Sequence, residues 1–118
     1  MRMLIAALVI AVLAATTASA QSIGGQYAVK GTNFDGSPYG GTVTISRSSN
    51  TTCHIEWQTG SSSSGICMAS KGALAAAYKL GDAVGLVLYE LRPDGSLDGV
   101  WTLADKPGSG TEVLTPLK

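Results

Sequence analysis

Two tight turns, each followed by an alternating run, constrain this chain more than anything else in it. Pro93, Asp94 and Gly95 combine a preset φ, a short polar side chain that bonds nearby backbone and a residue tolerant of positive φ. They reverse the chain between two extended segments, as in a β-hairpin. Beyond the turn, Leu97, Gly99 and Trp101 alternate with Asp98, Val100 and Thr102, so one face is built for burial and ends in a large aromatic. The same design stands earlier, where Asp35, Gly36 and Ser37 turn the chain and Tyr39, Gly41, Val43 and Ile45 follow at every second position. Repeated hairpins of this kind specify a small β domain.

The first twenty residues follow a different logic. Arg2 gives a positive start, Leu4 to Ala15 an unbroken apolar stretch, and Ala18, Ser19 and Ala20 a small-residue cleavage site, the three parts of a secretory signal peptide. The apolar stretch is short for a membrane span of about 20 residues. The expectation is export to a periplasmic or extracellular space, with a single β domain over residues 21–118 that begins at Gln21 and keeps no membrane span. Of the 118 residues, 98 then remain, with seven basic side chains against eight acidic ones. No basic run is present to neutralise a series of phosphates, which argues against nucleic acid as a partner.

Export also gives the two cysteines a meaning. Cys53 and Cys67 lie symmetrically about Gly60, so a hairpin turning through Gly60 to Ser64 brings them close to opposite one another. Closing a loop of this size is worth roughly 3 kcal/mol in the chain-entropy model. A metal pair or a redox pair is the rival reading; there is no CxxC spacing, and the single His54 does not complete a zinc site.

The rest of the chain punctuates itself into short strands. Gln26 to Asn33 alternates, Thr42 to Ser46 does so again, and polar Arg47 to Thr52 closes that strand in a loop. Cys53, Ile55 and Trp57 then oppose His54, Glu56 and Gln58. Ser61, Ser62, Ser63 and Ser64, between Gly60 and Gly65, read as a polar hairpin tip, and Ile66 to Ala69 leaves it as a strand. Over Lys71 to Asp82 the alanines favour a short helix, whereas the alternation of Leu74, Ala76 and Tyr78 between flanking hairpins favours a strand. Val84 to Leu91 reads as a strand buried on one or both faces. Ala104 to Ser109 reads as a loop around Pro107 and Gly108, and Thr111 to Thr115 as the last strand. About eight strands without a long crossover form an antiparallel meander, and eight are enough to close a small up-and-down barrel. Gly41, Gly85 and Gly99 inside strands suit its tight bends. A two-sheet sandwich is the alternative.

The series Tyr27, Val29, Gly31, Asn33, Asp35, Gly36, Tyr39, Gly41 and Val43, with Ile55, Trp57, Gly60, Gly65, Leu74, Ala76 and Tyr78 and then Tyr89, Asp94, Gly95, Leu97, Gly99, Trp101, Gly110, Thr111, Glu112 and Leu114, resembles small exported bacterial proteins commonly labelled fibronectin-binding proteins. The resemblance implies a partner in the host matrix. Cys53 and Cys67 depart from that pattern, standing where an aromatic and a small residue are expected.

Residues able to carry chemistry are few. His54 and Glu56 project from one strand face, where they read as a solvent-facing polar pair rather than an acid and base. No GxSxG elbow exposes a serine, and Asp94, Asp98, Asp105 and Asp35 lack the DxDxDG pattern of a calcium loop. No cofactor or metal site is expected. Tyr27, Tyr39, Trp57, Tyr78, Tyr89 and Trp101 are the candidates for a filled core or a cavity, and Arg47, Asn50 and Ser61 to Ser64 for contact loops. The reading is a monomeric, non-enzymatic binding protein whose partner is a matrix protein. The alternatives are an inhibitor of an exported protease or lysozyme, and a lipocalin-like or avidin-like carrier of a small apolar molecule.

Overall fold

The structure is a computed structural model, and it describes residues 23–117. The expected leader and the cleavage point before Gln21 lie outside the described residues. Eight strands follow in chain order: β1 Gly25–Thr32, β2 Pro38–Arg47, β3 Cys53–Gln58, β4 Ser62–Ser70, β5 Ala73–Leu80, β6 Ala83–Leu91, β7 Leu97–Leu103 and β8 Lys106–Pro116. Each pairs antiparallel with the next, and β8 returns to pair with β1, so the sheet closes as a barrel. Closure leaves no strand with an unpaired edge.

The two turns that organise the sequence are built alike. Asn33 N–H donates to Ser37 O and Gly36 N–H to Asn33 O; Arg92 N–H donates to Ser96 O and Gly95 N–H to Arg92 O. Asp35 accepts from the backbone N–H and hydroxyl of Ser37, and Asp94 does the same with Ser96. The serine hydroxyl, followed by the backbone N–H, holds each carboxyl below the usual range. Gly36 and Gly95 take φ of 84° and 88°, the left-handed region that a side chain would disfavour.

Cys53 and Cys67 face each other directly in the β3–β4 ladder and form a disulfide, with Cα atoms 4.9 Å apart. The turn that sets this register is Thr59 to Ser61. Ser62, Ser63 and Ser64 are not part of a hairpin tip but belong to β4, paired with Gln58, Trp57 and Glu56. Their polarity suits a strand whose outer side chains meet solvent at one end of the barrel. Ala73–Leu80 is a strand, as its alternation indicated, because ladders on both sides supply hydrogen bonds that an isolated two-turn helix lacks. The loop expected over Ala104 to Ser109 shrinks to a two-residue turn. β8 begins at Lys106, opposite Leu103, and the register shift between Trp101 and Leu103 takes up two extra residues on β8, so that Pro107, Gly108 and Ser109 together face Thr102.

Alternation divides the side chains cleanly. Tyr27, Val29, Val43, Ile45, Ile55, Leu74, Tyr89, Leu97 and Leu114 fill the interior with the disulfide. β6 is buried on one face only: Val87 and Tyr89 point in, while Leu86 and Leu88 are 60% and 57% exposed. The outer wall is itself two-sided. Over β1 to β3 it carries Lys30, Thr42, Ser46, His54 and Glu56, all exposed. Over β4 to β7 the register sets Met68, Ala75, Leu88 and Val100 in one row and Ile66, Ala77 and Leu86 in the next.

Candidate functional site

Glycines mark where aromatic rings cross the inner wall. Gly31 of β1 is opposite Tyr39 of β2, Gly85 of β6 opposite Tyr78 of β5, Gly99 of β7 opposite Tyr89 of β6, and Gly110 of β8 opposite Trp101 of β7. A Cβ added at Gly99 would stand 2.5 Å from the Tyr89 ring, and one at Gly31 2.3 Å from that of Tyr39. Gly85 and Gly99, expected at bends, thus make room for rings.

This pattern converges on Glu112, the one charged side chain buried in the barrel among the described residues, 4% exposed. In the β8 ladders it sits between Gly31 on one side and Gly99 on the other. Because neither neighbour has a side chain, a tyrosine one strand further out on each side lies over its glycine and reaches the carboxylate. Tyr39 donates its hydroxyl to Oε1 at 2.8 Å, and Tyr89 donates to Oε2. Trp57, on β3, supplies the third bond from Nε1 to Oε2 at 3.0 Å. Hydrogen bonds to an ionised acceptor are worth about 1.5–3 kcal/mol each, which offsets the cost of bringing the carboxylate out of water. No described buried side-chain polar atom is left without a partner.

The tyrosines are correspondingly hard to ionise. Burial and the negative charge of Glu112 push Tyr78 up to about 12. Burial first, then the charge of Glu112 and the hydrogen bond to it, also raise Tyr39 and Tyr89. Folded-state values above the unfolded 10.0 mean that this contribution to stability is complete below pH 10 and is lost as pH climbs through the folded values. An alkaline titration should therefore show tyrosinate absorption from these three residues well above pH 10, accompanied by unfolding. Their ionisation near pH 10 in an intact barrel would contradict the buried cluster.

Above the carboxylate the packing is incomplete. A cavity of about 200 Å³ lies at the end of the barrel that carries the β1–β2, β3–β4, β5–β6 and β7–β8 turns. Glu112 and the rings of Tyr39, Trp57, Tyr78 and Trp101 line it, with Leu80 and Val87 between them and Asn33, Thr59, Ser61 and Ser63 at the rim. Trp57 and Tyr78 pack together with ring centres 5.0 Å apart. Tyr78 donates to Thr102 O, and Trp101 donates from Nε1 to Thr111 O. Phe34, in the first turn, covers Trp101 at 4.8 Å. A Gly99→Ala substitution should push Tyr89 off Glu112 and cost about 1–3 kcal/mol in denaturant unfolding, the range of overpacked cores.

Four of the six aromatic candidates, Tyr39, Trp57, Tyr78 and Trp101, thus meet around one space. Tyr89 is sealed beneath it, and Tyr27 lies at the opposite end, where its hydroxyl accepts from Gly24 N–H. The contact-loop candidates do not form one surface. Ser61 and Ser63 are at the cavity rim, Ser62 and Ser64 point outward from β4, and Arg47 and Asn50 lie at the far end of the barrel. His54 and Glu56 project from the outer wall of β3, away from the cavity. No cluster of three or more His, Cys, Asp or Glu able to hold a metal occurs among the described residues. Glu112 carried no role in the sequence reading. Its signal was an acid at an inward position between Gly110 and Leu114.

The fold and cavity together define a closed eight-stranded antiparallel barrel with an interior space at one end. No protein-family model matches the chain, and no curated protein does. Among solved structures, a redesigned β-barrel superposes with a TM-score of 0.70 at 20% identity, over 80% of this chain and 91% of its own. The redesigned barrel mFAP1, bound to DFHBI, gives 0.68 at 21% identity over 79% and 94%. A variant of the fluorescent protein UnaG gives 0.52 at 12% identity over 81% and 96%. At these identities the likeness shows the fold.

Proposed function

We propose that this is an exported, non-enzymatic binding protein that holds a small molecule in the cavity above Glu112. The observation that carries the reading is the cavity itself. An eight-stranded barrel is just narrow enough for side chains to fill, yet here four aromatic rings surround an open space with a buried carboxylate beneath. Few polar groups converging in an apolar concavity is the usual make-up of a ligand site. That mFAP1 is a barrel of this fold holding DFHBI supports the same use of the interior. The leader-like first twenty residues and the disulfide support export.

Native mass spectrometry of the protein recovered without refolding tests this. A reproducible extra mass that leaves on gentle activation is expected, and a Ser63→Phe variant, whose ring would occupy the mouth, should lack it. The same spectrum should give the mass of one chain. A bare protein in both samples, combined with retention on immobilised fibronectin, would move the function to the outer surface, as the family resemblance implies.

A further inference from the structure

We infer that the cavity takes a small methylated ammonium group, with Glu112 as its counter-charge and Tyr39, Trp57, Tyr78 and Trp101 as the box around it. This rests on the reading of the cavity as the binding site. Among the described residues the lining contains one full charge, that of Glu112, and no lysine, arginine or histidine. The carboxylate has no basic partner among the described residues; its three bonds all come from neutral donors. The site therefore carries an uncompensated negative charge beneath aromatic walls, whose π faces are negative as well. An anion would meet repulsion from both.

The count of hydrogen bonds narrows the cation. A carboxylate offers about four acceptor positions. Oε2 already accepts two bonds, from Trp57 and Tyr89, and Oε1 accepts one from Tyr39. One acceptor position remains, on Oε1. A primary ammonium would bring three N–H groups to that single position, and a guanidinium five. A tertiary ammonium brings one N–H, and a quaternary ammonium none and the smallest hydration shell to strip. Recognition of such groups by aromatic boxes follows the same electrostatics. A cavity of about 200 Å³ is smaller than pockets for drug-sized ligands, so it suits a head group rather than a large molecule.

The test is a calorimetric titration of the full mature protein with choline, and with 3,3-dimethyl-1-butanol, its neutral carbon isostere. Choline is expected to bind about tenfold more tightly or better, the order that a desolvated cation–π box adds. A Glu112→Gln variant, which keeps the aromatic box but loses the counter-charge, should bind choline more weakly than wild type while its binding of the isostere is unchanged. Should the variant fail to fold, the wild-type comparison decides alone. Equal binding of choline and isostere would overturn the ammonium assignment and leave the cavity as an apolar site. No binding of either overturns the assignment as well, and the bound mass in native spectra then decides whether the cavity is a site at all. An acidic or neutral molecule found there would have the same consequence for the ammonium.

Discussion

Replacing Glu112 with alanine is expected to destabilise the barrel by about 3 kcal/mol or more in denaturant unfolding. Two effects oppose each other. Removing a buried carboxylate recovers its desolvation cost, several kcal/mol for an ion taken out of water. In the native protein that cost is already offset by three charge-assisted bonds. Without the carboxylate, the Trp57 indole N–H and the Tyr89 hydroxyl stay buried with no acceptor, at about 1–3 kcal/mol each. Tyr39 is half-buried at the cavity, where water can take the place of its hydroxyl on Oε1, so Tyr39→Phe should cost less than the roughly 1.5–3 kcal/mol of a charge-assisted bond. Pairing Glu112→Leu with Tyr89→Phe should recover part of the loss, because both ends of one bond become apolar. A Glu112→Ala protein within about 0.5 kcal/mol of wild type, the range of ordinary surface changes, would contradict the role of the cluster.

Loss of the disulfide should be nearly as damaging. Cys53 and Cys67 close a loop of 14 residues in sequence separation, for which loop-closure entropy of the unfolded chain predicts about 3 kcal/mol. The double substitution Cys53→Ala with Cys67→Ala is the right comparison, since a single one leaves a free thiol in the core. Each cysteine is also buried, so two alanines add a small packing loss. For a barrel of this size the sum corresponds to a fall of about 10–20 °C in melting temperature, read by calorimetry. Wild type under reducing conditions should fall by a similar amount. A shift of only a few degrees would mean that the β3–β4 ladder holds its register without the bond.

Which features could be read in advance depended on how local their causes are. The two Asp-Gly-Ser turns are closed by bonds within five residues, so they were visible as such. The Cys53–Cys67 pairing followed from symmetry about Gly60, because register in a hairpin is fixed by its turn. The start of β8 was not visible. Pro107 and Gly108 are local breakers, and only the pairing of Lys106 and Gly110 with β7 on either side of them carries the strand through as a bulge. The serine run misled for a similar reason: polarity marks the outer side of a strand as readily as a loop. Glu112 is the extreme case. Its partners Tyr39, Trp57 and Tyr89 are 73, 55 and 23 residues away, and nothing near it in sequence reports that they converge. Gly99, which lets Tyr89 through, looked like a strand glycine suited to a bend.

Trp57 and Trp101 are the only tryptophans in the chain, and both line the cavity. Their fluorescence quenching by small solutes is therefore the most direct test that a solute can enter above Glu112. Neutral acrylamide should quench readily, caesium more strongly than iodide because of the carboxylate beneath, and a tightly held occupant should protect against all three. Quenching that is weak for every solute in ligand-free protein would mean a closed, filled interior. Stronger quenching by iodide than by caesium would contradict the charge assigned to the site.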